Sequence, residues 1–311
     1  MDIVAKPIRI DAAFDDPFAI RSLVERHGPY PNIASYLPAS ATRAAGESES
    51  EASLPWFRGN WAVNGRSLVD GAESILYNAP FIEAAARLFD TPKVTPTTVV
   101  VNVNAPMAPG AVHLDIPSFR GANRDRYPLR LLQAMGTSGL FEAWRVVEAG
   151  AITWFYDGPG GAYDYWPEGL NGPMHSEHPP FHNVALVADN DRMYHRIGWV
   201  GDPAATAPTI SARAEIQHVE GGWVISDDGV STAQYDDEQI RISVLWKAQV
   251  HPFDATDALV GALSPDRIVE IIVADLHARG VDAAVPTSPL SDEAWIDLVH
   301  ATYYPSISVA D

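Results

Sequence analysis

The sequence predicts a mainly β protein whose strand-rich centre is flanked by helices, and three observations predict it. Over residues 97–104 the side chains alternate with a period of two, the mark of a strand with unlike faces. Over residues 150–250 short β-branched and aromatic runs recur between turns rich in Gly and Pro. Before residue 90 and after residue 264 the apolar spacing changes to that of helices. A single domain over residues 1–311 is expected: a helical and irregular flank at 1–96, a β core at 97–251 and C-terminal helices at 252–311.

In chain order, residues 17–26 place Phe18, Ile20, Leu23 and Val24 at helical spacing, and residues 81–89 (FIEAAARLF) form the stronger helix of the flank. Between them residues 39–53, rich in Ser, Ala and Glu, read as a mobile loop without chemistry. In the strand over 97–104, Val99, Val101 and Val103 share one face and Val100, Asn102 and Asn104 the other. That pattern suits one face packed on a second layer and one lining a polar pocket, where the asparagines orient ligands; water-facing edge positions are the alternative. A helix is expected over 130–148. Strand and turn follow over 150–167, where Trp154, Phe155, Tyr156, Tyr163, Tyr165 and Trp166 crowd around Gly158-Pro159-Gly160-Gly161, as core or as pocket wall. Further strands are expected at 183–188, 192–200 and 239–250, with a hairpin of 214–219 and 223–226 turning at Glu220-Gly221-Gly222. Ser264-Pro265-Asp266 caps a helix that Gly280 stops, and a last helix covers 292–301.

The net charge of −19 repels phosphate backbones and anionic lipid, so the expected partner is a small molecule, with no nucleic acid and no membrane. No run approaches the roughly 20 apolar residues of a membrane span, and no basic-then-apolar leader opens the chain, which makes a cytoplasmic protein the expectation. The chain has no cysteine, so a bound metal must rest on His, Asp and Glu, a donor set that suits iron.

The chemistry centres on His113-Leu114-Asp115. In an extended segment the His113 and Asp115 side chains share a face and can grip one metal ion. Two such ligands hold a divalent ion weakly, so a second histidine is required, and His195 is the favoured candidate. The rival is the cluster His175, His178 and His182, where Pro179 and Pro180 argue against a helical pair of ligands.

With His113, Asp115 and His195 in this order, the chain resembles the iron(II)/2-oxoglutarate-dependent dioxygenase superfamily, cupin-like and phytanoyl-CoA-hydroxylase-like oxygenases. The likeness is one of motif and order over residues 97–251. It implies that the core is a double-stranded β-helix, or jelly roll, with His113, Asp115 and His195 as both metal ligands and catalytic centre. It also implies Fe(II), 2-oxoglutarate as cosubstrate and dioxygen. An Arg-x-Ser or Arg-x-Thr on a late strand of that family binds the far carboxylate of 2-oxoglutarate, and Arg241-Ile242-Ser243 matches it. The family commonly sets that arginine closer to the distal histidine, so Arg213 is a second candidate, disfavoured because no hydroxyl follows it. The implied activity is oxidation of a C–H bond of a small organic molecule, with hydroxylation the default. A cupin-like binding protein, or a metal-dependent isomerase or lyase, would use the same ligands without 2-oxoglutarate.

Overall fold

The computed structural model describes residues 5–36, 53–204, 207–251, 261–304 and 307. Residues 39–52 of the segment expected as a loop lie outside them. Strands are β1 (Ile8–Ile10), β2 (Tyr30–Pro31), β3 (Trp56–Val63), β4 (Arg66–Ser67), β5 (Val94–Asn104), β6 (Ser118–Phe119), β7 (Arg145–Tyr156), β8 (Tyr163–Trp166), β9 (His175–Glu177), β10 (Phe181–Ala188), β11 (Tyr194–Ile197), β12 (Glu215–Val219), β13 (Gly222–Asp227), β14 (Val230–Tyr235) and β15 (Arg241–Val250). Helices are α1 (Pro17–Arg26), α2 (Glu73–Leu76), α3 (Ala79–Leu88), α4 (Leu129–Ser138), α5 (Pro265–Ala278) and α6 (Glu293–Tyr303). The protein is mainly β with flanking helices, as expected. The chain divides into two compact units, one of Met1–Val112 with Glu148–Val250 and one of His113–Val147 with His251–Asp311.

The first unit is built on an antiparallel sheet of order β1-β10-β7-β15-β5-β3-β4. The order is open, running from β1 at one edge to β4 at the other. The alternation in β5 does what its sequence demands. Val99, Val101 and Val103 pair with Trp246, Val244 and Ile242 of β15, so six buried side chains share one face. Phe81 of α3 packs on Trp246 with ring centroids 5.6 Å apart, and the Trp246 indole Nε1 donates to the Leu76 carbonyl of α2 at 2.7 Å. Burying each of these large side chains stabilises the layer by about 1.5–3 kcal/mol. Helix α3 starts where Asn78 accepts from the Phe81 N–H, and α1 starts where Asp16 accepts from Ala19.

The opposite face carries Arg241, Ser243, Asn102 and Asn104, since Arg241 pairs with Asn104 and Ser243 with Asn102. Over this face lies a second sheet of order β11-β8-β9. Trp154, Tyr156, Phe181 and Leu186 of the large sheet and Tyr163, Tyr165 and Ile197 of the small one form a single buried cluster, so the two sheets meet face to face. A third sheet, β14-β13-β12-β2, contains the expected hairpin at 220–221. It also contains a hairpin whose Asp228 and Gly229 both have positive φ (50° and 77°), the mirror-image turn that suits twisted strands.

In the second unit α4, α5 and α6 enclose Phe119, Leu131, Phe141, Ile272 and Trp295. Ser264 caps α5 and Asp292 caps α6, each accepting from a backbone N–H three residues on.

Four local expectations are corrected. The helix expected over 130–148 ends at Ser138, because Gly139 turns left-handed and strand β7 begins at Arg145. The flank at 1–96 supplies β1, β3 and β4 of the large sheet, where the sequence reading saw only helix and irregular chain. Only 194–197 of the strand expected over 192–200 is regular. Residues 108–117 form no regular strand, and only His113 makes a single bridge. Pro106 and Pro109 precede it, Pro117 follows it, and none of the three can donate to a ladder.

Candidate active site

His195 stands on β11 opposite Tyr165 of β8 and is 5 % exposed. Its Nδ1 lies 2.9 Å from the Met193 carbonyl, an acceptor that favours a proton on Nδ1, so that in the neutral imidazole the lone pair is on Nε2. That is the tautomer a metal-binding imidazole needs, its other nitrogen held by a backbone oxygen. The Tyr163 ring packs on the imidazole with centroids 5.6 Å apart.

Arg241 is 2 % exposed at the start of β15. Its Nε donates to the Gly161 carbonyl at 2.8 Å, and its guanidinium carbon lies 6.0 Å from the centre of the Phe181 ring. Among the described residues Nη2 is buried without a hydrogen-bond partner, and so is Oδ1 of the directly paired Asn104. No carboxylate pairs with Arg241 among the described residues. Burial pulls the guanidinium down to about 9, with the Tyr156 and Tyr163 phenols beside it, so it stays a cation at neutral pH. Tyr163 therefore packs on His195 and lies within electrostatic range of Arg241.

The other residues of this face have settled roles. Asn102 Oδ1 accepts from Trp56 Nε1 at 3.0 Å and from Arg58 Nε at 3.1 Å, which braces β3 against β5. Asn104 Nδ2 donates weakly to the Met107 sulfur at 3.6 Å. Ser243 is buried one position from the pair Arg241–Asn104 on the same strand face. Trp56, Arg58, Tyr156 and Tyr163 were not among the residues singled out as site candidates. Trp56 and Arg58 lie on β3, which the sequence reading missed; Tyr156 and Tyr163 were visible only as part of an aromatic crowd.

His113 and Asp115 are half-buried, with Leu114 buried between them. They open the second unit, whereas His195 lies on β11 of the first. The rivals are elsewhere. His175 stacks on Tyr165 at the surface, His178 is exposed, and His182 pairs with Asp157 at 3.2 Å with most of its side chain in solvent. Arg213 is exposed in a two-pronged ion pair with Asp228, at 2.7 and 2.6 Å. A second acidic grouping, Glu25, His218 and Asp237, already has a cation, since Arg21 bonds Glu25 at 3.1 Å and the Asp237 carbonyl at 3.2 Å.

No family model matches the sequence, and no curated protein matches it. Among solved structures the chain is similar to an oxidoreductase of the 2OG-Fe(II) oxygenase family from Burkholderia pseudomallei, at 13% identity over 79% of this chain and 86% of that one, with a TM-score of 0.42. It is similar to SnoK, a non-heme alpha-ketoglutarate-dependent carbocyclase from nogalamycin biosynthesis, at 10% identity over 84% and 90%, with a TM-score of 0.42. HygX from Streptomyces hygroscopicus, solved with nickel, 2-oxoglutarate and hygromycin B, is similar at 6% identity over 84% and 92%, with a TM-score of 0.41. No helix among the described residues is long and apolar enough to cross a membrane.

Proposed function

We propose that this protein is a non-haem iron(II)/2-oxoglutarate-dependent oxygenase that oxidises, by default hydroxylates, a C–H bond of a small organic molecule. The observation that carries the reading is the buried Arg241 guanidinium. Among the described residues it is a cation without a carboxylate partner, within electrostatic range of Tyr163, whose ring packs on His195. An uncompensated buried charge costs several kcal/mol, and a ligand carboxylate offsets that cost. The metal half of the reading takes His113, Asp115 and His195 as the ligands, on their types and order in the sequence. Two imidazoles and a carboxylate suit iron(II) and leave positions for exogenous ligands, and the Nδ1 contact of His195 presents the tautomer required.

When bound, iron(II) supplies the redox chemistry through which dioxygen, 2-oxoglutarate and R–H become carbon dioxide, succinate and R–OH. The chain's own residues do the rest. His113, Asp115 and His195 would hold the metal. Arg241 takes the far carboxylate of 2-oxoglutarate through its terminal nitrogens, and the Ser243 hydroxyl, on the same face, adds a bond. Asn102 acts as a strut, because Trp56 and Arg58 occupy its oxygen, while the Asn104 carbonyl oxygen is open to a donor such as a water beside the cosubstrate. Trp154, Tyr163 and Phe181 keep water away from the anchor and strengthen its electrostatics.

The test is succinate formation from 2-oxoglutarate with iron(II) under air. Succinate produced by the wild-type chain and lost in Arg241→Ala and His195→Ala supports the reading. Iron binding without any succinate would favour a binding protein, an isomerase or a lyase instead.

A further inference from the structure

We propose that Tyr156 and the turn at 158–161 are a positioning device for Arg241, holding its Nε so that the terminal nitrogens are left to meet the distal carboxylate of the cosubstrate. This rests on the reading of Arg241 as the anchor. An arginine side chain has much rotamer entropy to lose, so an anchor that must meet a carboxylate two-pronged gains from being held before the ligand arrives.

The hold is visible in the contacts. The one side-chain hydrogen bond that Arg241 makes among the described residues runs from its Nε to the Gly161 carbonyl, at 2.8 Å. The direction of that carbonyl is set by two consecutive left-handed residues, Gly160 (φ 70°) and Gly161 (φ 75°), a backbone that side-chain-bearing residues rarely adopt. The turn also lies flat on the Tyr156 ring. A Cβ at Gly158 would stand 2.5 Å from the Tyr156 hydroxyl, and one at Gly161 would stand 2.6 Å from the Tyr156 ring and 3.2 Å from the Arg241 Cδ.

The Tyr156 hydroxyl then ties the turn down. It donates to the Pro159 carbonyl at 2.8 Å and accepts from the Gly201 N–H at 3.2 Å. Gly201 N–H also reaches the Pro159 carbonyl at 2.9 Å, and Gly161 N–H donates to Trp199. Val200 exchanges two bonds with Met107, whose sulfur accepts from Asn104, the residue paired with Arg241. The circuit closes around the guanidinium. Burial raises the Tyr156 phenol above its ordinary range, so it keeps its proton and stays a donor. The crowded Gly-Pro-Gly-Gly run of the sequence thereby has a use beyond packing.

The test compares two 2-oxo acids that differ in the distal carboxylate. The full chain, loaded with iron(II) under argon, is titrated calorimetrically with 2-oxoglutarate and with pyruvate. The wild type is expected to prefer the dicarboxylate. Tyr156→Phe, which keeps the ring and removes the oxygen, should bind pyruvate within about twofold of wild type and 2-oxoglutarate about 5- to 10-fold more weakly, the loss of one or two hydrogen bonds' worth of positioning. Gly161→Ala should lose more of the preference. An undiminished preference in Tyr156→Phe overturns the proposal, and so does a parallel loss for both acids, which would mean general loosening. A wild type that binds the two acids equally well refutes instead the reading of Arg241 as the anchor.

Discussion

Replacing Arg241 with methionine should stabilise the ligand-free protein and at the same time destroy its affinity for 2-oxoglutarate. Burial lowers the guanidinium to about 9, which on 1.36 kcal/mol per pH unit is a penalty on the order of 5 kcal/mol against the buried cation. The sign is that of a base whose folded pKa is depressed. The penalty is fully present at pH 7 and is relieved only as pH rises past about 9. Arg241→Met removes it and keeps most of the side-chain volume, but it strands the Gly161 carbonyl, at a cost of about 1–3 kcal/mol. The balance is a gain of about 2–4 kcal/mol, within the range found when buried charges give way to apolar side chains. The ligand effect has the opposite sign: a buried carboxylate without its charge partner loses about 2–5 kcal/mol of binding, or roughly 30-fold to several thousand-fold. Scanning calorimetry with iron(II), with and without 2-oxoglutarate, reads both. The wild-type Tm should rise on adding the dicarboxylate, whereas the variant should start higher and not respond. A variant that melts well below wild type yet still responds to 2-oxoglutarate would make Arg241 a structural cation and refute the reasoning.

His113→Ala, Asp115→Ala and His195→Ala should each lose stoichiometric iron(II) in equilibrium dialysis while His182→Ala keeps it, because His182 is spent on an exposed contact with Asp157. Arg213→Ala should leave both the 2-oxoglutarate requirement and the Tm unchanged, as expected of an exposed pair. Asn102→Ala removes the acceptor shared by the part-buried donors of Trp56 and Arg58 and should cost about 1 kcal/mol, read as a lower urea midpoint.

What the sequence made legible follows from periodicity and capping. The two faces of β5 could be read because alternation over 97–104 is strict, and the structure uses them as expected: valines beside Trp246 on the face where Phe81 packs, asparagines on the polar interior. The helix starts at Ser264 and Asp292 were equally plain, since a capping side chain is a local signal. Strand β3 was missed because Trp56-Phe57-Arg58-Gly59-Asn60-Trp61 has no alternation: Trp56 and Arg58 serve a polar interior and Trp61 is fully buried. Strand β14 carried a readable signal, the Asp228-Gly229 turn, which the reading passed over. For the anchor, Arg241 and Arg213 were both open from spacing alone. Burial separates them, and burial depends on which strands pair. The part played by Gly160 and Gly161 needs the same tertiary knowledge, because a Gly-Gly turn does not announce which side chain its carbonyl will meet.

The account's central claim, one metal on His113, Asp115 and His195 with a dicarboxylate reaching Arg241, is tested most directly by a crystal structure grown under argon with iron(II) and 2-oxoglutarate. The account predicts His113, Asp115 and His195 each about 2 Å from the metal. It predicts the distal carboxylate on the terminal nitrogens of Arg241, with Nε still on Gly161. Metal held by other residues, or 2-oxoglutarate bound with its distal carboxylate away from Arg241, would contradict it.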